Sequence, residues 1–248
     1  MRRNILIKIQ YDGTKYSGWQ RQGNTDNTIE RKISSVISKM EKSDVLVELH
    51  ASGRTDAGVH ALGQVANFTT KSDLSEEEML DYINQYLPED IRILELYQVD
   101  DRFHSRLKAV GKTYVYSIDT NTKADVFCRK YSLWLGNSLD VDAMKALIPY
   151  ILGEHDFITF SDMRQGKKST VRNIRDICIT EDKGIVSLEF TGNGFLYHMV
   201  RKLVAAFIKV GQGNMSIDDV VQVLNQKDRN AFKDIAPAKG LILKEVFY

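Results

Sequence analysis

Apolar residues recur along this 248-residue chain in two periods, and the two alternate in the same order twice. That order limits the fold more than any single motif. Ile5–Gln10 alternates apolar and polar residues, the period-two pattern of a strand, and Tyr11-Asp12-Gly13 then turns the chain. From Ile29 to Met40 the apolar positions Ile29, Ile33, Val36, Ile37 and Met40 follow helical spacing, with Thr28 or Asn27 placed to cap the start. Val45 to Leu49 and Gln64 to Thr70 read as strands. Ser75 opens a helix through Met79, Ile83 and Leu87, and the glutamates of its first turn suit the helix dipole. Pro88 ends that helix and Ile91–Val99 returns as a strand, which completes a β-α-β-β-α-β order.

The rest of the chain repeats the order. Thr113–Ile118 alternates as a strand, and Asp142–Leu152 is helical with Pro149 expected to kink it or end its regular part. Ile174–Thr180 and Ile185–Thr191 are strands, Gly194–Val210 has the pattern of a long amphipathic helix, Ser216–Leu224 is a further helix, and Leu241–Phe247 closes as a strand. Two such units predict an α+β protein made of two pseudo-repeated, ferredoxin- or RRM-like halves. They would share a continuous, mainly antiparallel sheet with helices packed on one face and an active-site cleft between the halves. A boundary near residues 101–110 divides the chain into domains 1–105 and 106–248, with no low-complexity linker between them.

Charge changes at the same place. Residues 1–105 hold 13 Lys+Arg and 17 Asp+Glu, whereas residues 106–248 hold 21 and 16, so the net charge of +1 hides a basic second half. Its excess is local: Arg164, Lys167, Lys168, Arg172 and Arg175 follow one another with no acid between them, and Arg102, Arg106, Lys108 and Lys112 form a second cluster. Such density suits phosphate binding whatever the total charge, though a solvated loop or strand face has the same composition. No apolar run approaches the roughly 18 residues of a membrane span, and the short start Ile5–Ile9 reads as a strand rather than a signal peptide. Cys128 and Cys178 form no Cys-x-x-Cys pair and read as two buried, reduced thiols of a cytoplasmic protein. No His/Cys cluster has metal-ligand spacing, so a metal is not expected.

Ala51 to Ala61 carries the chemistry: Ala-Ser-Gly-Arg-Thr-Asp-Ala-Gly-Val-His-Ala, between two expected strands. A carboxylate in a glycine-rich loop is commonly a turn former or helix cap. Arg54 adds a second possibility, since in an extended segment it lies on the same side as Asp56 and could keep the carboxylate ionised. An ionised, oriented Asp56 could act as nucleophile or general base, and Gly53 and Gly58 would let a bulky substrate approach the backbone.

Gly53-Arg54-Thr55-Asp56-Ala57-Gly58-Val59-His60 resembles the signature of the TruA family of tRNA pseudouridine synthases. The likeness extends to Tyr11-Asp12-Gly13, Tyr16 and Gly18-Trp19-Gln20-Arg21-Gln22, and to Asn84 through Ile91 with its Leu87-Pro88 pair. Phe103-His104-Ser105-Arg106 with Lys112–Tyr116, Phe195–Arg201 and Ala236–Leu241 follow in family order, so the resemblance is close to full length.

The resemblance implies an isomerase that converts uridine to pseudouridine in the anticodon stem-loop of tRNA, without cofactor or metal, working as a cytoplasmic homodimer. Asp56 falls on the catalytic aspartate, Tyr114 on the active-site tyrosine that stacks on the uracil, and Arg201 on the basic partner of the aspartate. Arg54 falls on an arginine that helps splay out the target base and hold a phosphate. Leu241 and Leu243 would wall the uracil pocket or serve the core. Trp19, Gln20 and Arg21 are expected at the RNA rim, where Trp19 could instead hold down a turn, and Arg106, Lys167, Lys168 and Arg172 on the RNA face. His60 and His104 are expected to be structural or to touch RNA. The same chemistry on another tRNA site or on ribosomal RNA is an alternative target. A non-catalytic RNA-binding module would need no such combination as Asp56, Tyr114 and Arg201. The chain departs from the family pattern at Ile29-Glu30, where Val-Gln is common, at Ser105, a frequent alanine, and at Ala205, a frequent glycine.

Overall fold

In the computed structural model, which describes residues 2–163, 166 and 169–248, the chain is a mixed α+β protein. It divides into two compact units, Met1–Val110 with Leu243–Tyr248, and Gly111–Ile242.

The first unit runs β1 (Arg3–Tyr11), α1 (Ile29–Met40), β2 (His50–Ala51), β3 (His60–Thr70), α2 (Glu76–Tyr86) and β4 (Ile91–Val99). Strand β1 is central, antiparallel to β3 on one side and β4 on the other, while β2 pairs with β3. Its alternation sends Ile5, Ile7 and Ile9 into the core, where Phe68, Ile91, Ile93, Ile33, Ile37, Met79 and Ile83 are also buried. Helix α2 lies against β4 and α1 against α2. Both helices begin where the side chains dictate: the Thr28 hydroxyl accepts from the Arg31 amide, and Ser75 forms a capping box with Glu78. The expected strand Val45–Leu49 is not formed, and β2 keeps only His50 and Ala51. Val45 is exposed, and the Val47 amide donates to the Ser38 hydroxyl of α1, so local side-chain bonds replace a ladder.

The second unit contains β5 (Gly111–Asp119), β6 (Leu133–Trp134), α3 (Val141–Ile151), β7 (Gly153–Asp156), β8 (Val171–Asp182), β9 (Ile185–Gly192), α4 (Met199–Gly211) and α5 (Ile217–Asn225). Its strands lie in the order β5-β9-β8-β7, all antiparallel, with β6 parallel to β5. Helix α3 packs on α4, α5 and β8. Pro149 falls in the last turn of α3, which ends two residues later, so its missing amide costs little there. The helix expected from Gly194 starts only at Met199, because His198 adopts a left-handed backbone with φ of 64° that no helix can pass through. The last strand, β10 (Leu241–Phe247), begins in the second unit and ends in the first. Neither thiol is buried as expected: Cys178 is exposed and Cys128 half-buried. Cys178 stands on β8 between the buried Ile177 and Ile179, so the pleat turns it to the other face.

Candidate active site

The connection between β2 and β3, residues 52–59, is held from both ends and from below, all within the first unit. At its start, Gln64 of β3 serves as a clasp. Its Oε1 accepts from the Ser52 hydroxyl at 2.7 Å, and its Nε2 donates to the Gly53 carbonyl at 2.9 Å. In the middle, Thr55 turns inward and its hydroxyl meets the Tyr11 phenol at 2.7 Å in a buried hydrogen bond. Burial pushes the Tyr11 phenol well above its ordinary pKa, although hydrogen bonds to Thr55 and Gln64 work against the shift, so this group stays protonated. With Thr55 inward, the alternation of an extended segment turns its neighbours outward: Arg54 is exposed and Asp56 half-buried. The Asp56 carbonyl then accepts from the Val59 amide at 3.1 Å across a turn whose third residue, Gly58, has φ of 77°, the conformation a type II turn reserves for glycine.

The segment between β1 and α1 supports this loop from below. The Trp19 amide donates to the Thr55 carbonyl at 3.0 Å, and the Gly58 amide reaches the Tyr16 carbonyl at 3.4 Å. Gly13 and Gly18 lie so close that a Cβ would stand 2.0 Å from the Val59 carbonyl oxygen and 2.8 Å from the Thr55 carbonyl oxygen respectively. The Gly13 amide reaches Nδ1 of His60 at 3.0 Å, and the same nitrogen stands 3.2 Å from the Asp12 carboxylate. His60 is buried, so its role is structural rather than RNA-contacting.

The segment is itself tied to α1. The carbonyls of Gly18 and Trp19 accept from the Ile29 and Glu30 amides at 3.2 and 3.0 Å, satisfying donors that a helix start leaves open. In return, one oxygen of the buried Glu30 carboxylate accepts from both the Gln20 side-chain amide and the Arg21 backbone amide, each at 2.7 Å.

The expectations for individual residues divide accordingly. Trp19 is only 1% exposed, with its ring tilted against Tyr11, so it cannot stack on RNA at the rim; it holds down the turn. Gln20 is partly buried and tied to Glu30, while Arg21, Arg54 and Arg106 are exposed on the same unit. Leu241 and Leu243 are core residues, the latter completely buried. Ser105 has a specific reason to replace alanine, since its hydroxyl and amide both donate to Asn67 Oδ1 at 2.9 Å. Lys167 and Lys168, with Arg164, lie outside the described residues.

In the second unit Tyr114 lies on β5 with its ring edge-on to Phe195 at 5.3 Å, and it shares a strand face with the fully buried Tyr116. Arg201 occupies the first turn of α4, where its Nε donates to the Ala236 carbonyl at 2.8 Å while the Ala236 amide donates back to the Arg201 carbonyl at 3.1 Å. The start of that helix carries a charged cluster. One Asp162 oxygen meets His198 Nδ1 at 2.6 Å, the other meets Lys202 Nζ at 2.6 Å, and Nζ also donates to the Phe232 carbonyl at 3.0 Å. Burial alone would raise the Asp162 pKa, but the bonds and charges of His198 and Lys202 outweigh it and hold the carboxyl below its usual range. Arg172 is half-buried and directs Nη1 to the carbonyls of Ser169 and Val171 at 3.0 and 2.6 Å. Among the described residues no group of three or more His, Cys, Asp or Glu side chains could hold a metal ion. No described helix is long and apolar enough to cross a membrane.

Thr55, Tyr11 and Gln64 hold the loop; Tyr11 and Thr55 stand in family motifs, but nothing in the sequence shows that they bond each other, and Gln64 carries no signal there. The glycines at 13 and 18 were the available signal, since both sit in a segment that also holds large aromatics and leaves room for a second backbone.

Comparison with known proteins shows the family. The family model for tRNA pseudouridine synthase matches residues 7–107 and 147–248. The chain belongs to that family, of the TruA type, and is an isomerase. It is 45% identical over 243 residues to tRNA pseudouridine synthase A 2 of Bacillus cereus, covering 98% of each chain. It is 44% identical to tRNA pseudouridine synthase A 1 of Clostridium tetani (99% of this chain, 100% of the relative) and 42% identical to A 2 of the same organism (100% of both). Among solved structures, 94% of the chain aligns with 58% of a chain in the archaeal box H/ACA sRNP Nop10–Cbf5 complex, at 12% identity and a TM-score of 0.37.

Proposed function

We propose that this enzyme isomerises uridine to pseudouridine in the anticodon stem-loop of tRNA, with Asp56 as the nucleophile. The observation that carries the assignment is the inward turn of Thr55 onto Tyr11, which leaves Asp56 at the mouth of a loop braced on backbone from two sides. Such bracing fixes a carboxylate within the tolerance that nucleophilic attack demands. Attack accompanies rupture of the bond between N1 of the uracil and C1′ of the ribose. The uracil turns and rejoins through C5, the bond to Asp56 breaks and frees the carboxylate, C5 loses its proton, and N1 gains one. The exchange is redox-neutral and balances without a co-reactant.

Tyr114 and Arg201 enter the proposal on the family resemblance, Tyr114 as the ring that stacks on the uracil and Arg201 as the cation paired with Asp56. Arg54, exposed beside Asp56, holds a phosphate and helps extrude the base. Arg21, Arg106 and Arg172 serve the RNA backbone, and the protein works in the cytoplasm as a homodimer. Similarity to two differently numbered relatives in one organism leaves a second tRNA site as the alternative target.

Unmodified tRNA incubated with the enzyme should acquire pseudouridine, located by carbodiimide mapping. Asp56→Ala should abolish the product yet still bind the RNA. An active Asp56→Ala enzyme would refute the nucleophile assignment, and modification outside the anticodon stem-loop would refute the target.

A further inference from the structure

We propose that Glu30 is a positioning residue for this reaction: through one carboxylate oxygen it sets the height of the segment on which the Asp56 loop rests. The proposal rests on Asp56 being the nucleophile.

Glu30 is an unusual core residue, an acid only 7% exposed. Burying a carboxylate is costly unless its environment favours the charge. Here the favour comes from its place in the first turn of α1, where the helix dipole and the surrounding amides stabilise an anion. Its two donors, the Gln20 side-chain amide and the Arg21 backbone amide, converge on the same oxygen at 2.7 Å each. The Glu30 amide meanwhile donates to the Trp19 carbonyl. Residues 19–21 are therefore gripped on both sides of the backbone by a single helical residue. The next bond outward is Trp19 N–H to the Thr55 carbonyl at 3.0 Å, and Thr55 directly precedes Asp56. Gly18, whose Cα carries no side chain, closes the same contact against Thr55 and Ala57. Asp90 holds the same segment further back, at the Tyr16 hydroxyl, but residues 20 and 21 bond to the Glu30 carboxylate, so a shift of its oxygen passes through two hydrogen bonds to the residue before the nucleophile.

What matters under this proposal is where the oxygen stands, not the charge it bears. A glutamine oxygen in the same place could accept from both donors. An aspartate keeps the charge but withdraws the oxygen by one methylene, and a methionine fills the volume without an acceptor. The proposal therefore ranks three variants by geometry. Glu30→Gln should keep kcat within about threefold of the parent enzyme, Glu30→Asp should lose about tenfold, and Glu30→Met about 10–100-fold, as displacement of a reacting group of order 1 Å does.

The test measures kcat and KM by tritium release from unmodified tRNA carrying 5-tritiated uridine, with hydrogen exchange of the Trp19 and Gly58 amides as a second readout. In Glu30→Met, kcat should fall while KM stays within about threefold, and both amides should exchange at least about tenfold faster. A merely structural role would instead lower the active fraction and speed the exchange of core-strand amides such as Ile7 as much as those of Trp19 and Gly58. If Glu30→Met does not fold, Glu30→Asp against Glu30→Gln carries the comparison. Glu30→Asp more active than Glu30→Gln would overturn the proposal, as would Glu30→Met with parental kcat. Asp56→Ala is run beside them: if it is active, the nucleophile assignment fails whatever the Glu30 variants show. If it is inactive and Glu30→Met is not impaired, only the role of Glu30 fails.

Discussion

Gly13→Ala is the most direct perturbation of the loop that carries Asp56. The added methyl would stand 2.0 Å from the Val59 carbonyl oxygen and 2.7 Å from its carbon, with the Val59 nitrogen at 3.2 Å. Ordinary contact begins near 3.4 Å, so the two backbones must separate by more than an ångström. Neither side has a flexible side chain to swing away. Gly13 is fixed by its bond to His60 and by the Asp12-capped turn, and Val59 by the turn from Asp56. Overpacking against rigid neighbours costs about 1–3 kcal/mol, and a backbone clash belongs at the upper end. For a chain of this size that lowers Tm by roughly 5–10 °C. Because the displaced atoms adjoin the Asp56 turn, kcat should fall about 100-fold. The control is Gly23→Ala, where a Cβ meets nothing within 4 Å, and which should be neutral or slightly stabilising. Thermal melts and tritium-release assays on both variants decide the matter. A Gly13→Ala enzyme with the Tm and kcat of Gly23→Ala would refute the claim that this contact sets the loop.

The cluster at the start of α4 makes two further predictions. Asp162→Ala should cost about 3 kcal/mol because it strands the Lys202 ammonium, 3% exposed, whereas Lys202→Met should cost only about 1 kcal/mol because Asp162, 41% exposed, keeps water and His198; chemical denaturation gives the order, and the reverse order would refute it. The depressed Asp162 pKa means that the unfolded chain binds the proton more readily, so the stabilisation is full above the ordinary carboxylate range and is lost as pH falls through the folded-state value. Melting from about pH 5 to pH 3 should therefore show a shallower acid-side decline in Asp162→Asn than in the parent enzyme.

Periodicity carried most of the fold because most elements bury one regular face. α1 and β4 fall where their apolar spacing places them, from Ile29 to Met40 and from Ile91 to Val99. Misplacements occur where a local hydrogen bond or a single dihedral overrides the pattern. Val45–Leu49 is apolar enough for a strand, but the Ser38 hydroxyl captures the Val47 amide before a ladder can. Phe195 and Leu196 continue the apolar spacing of α4, yet the left-handed His198 separates them from it, and no composition rule announces a positive φ at histidine. Trp19 illustrates the limit for the site. A tryptophan between glycine and glutamine in a polar loop suits a base-stacking platform as well as an anchor, and only its burial against Tyr11 decides.

The loop and the segment beneath it are one physical object, although some 35 residues of chain lie between their centres. Gly13 and Gly18 have no side chain because the backbones of Val59 and Thr55 occupy that space. Gly58 has none because the turn that presents Asp56 needs a positive φ. Large aromatics sit beside these glycines for the complementary reason. Tyr11, Tyr16 and Trp19 fill the volume beside the close backbone approach, and Tyr11 also satisfies the Thr55 hydroxyl that the approach buries. A side chain at 13 or 18 would need the 55–59 backbone to retreat, and retreat would leave Thr55 without its phenol. Tyr-Asp-Gly, Gly-Trp-Gln and Gly-Arg-Thr-Asp-Ala-Gly therefore constrain one another directly, which is why the position of Asp56 depends as much on residues 11–30 as on its own loop.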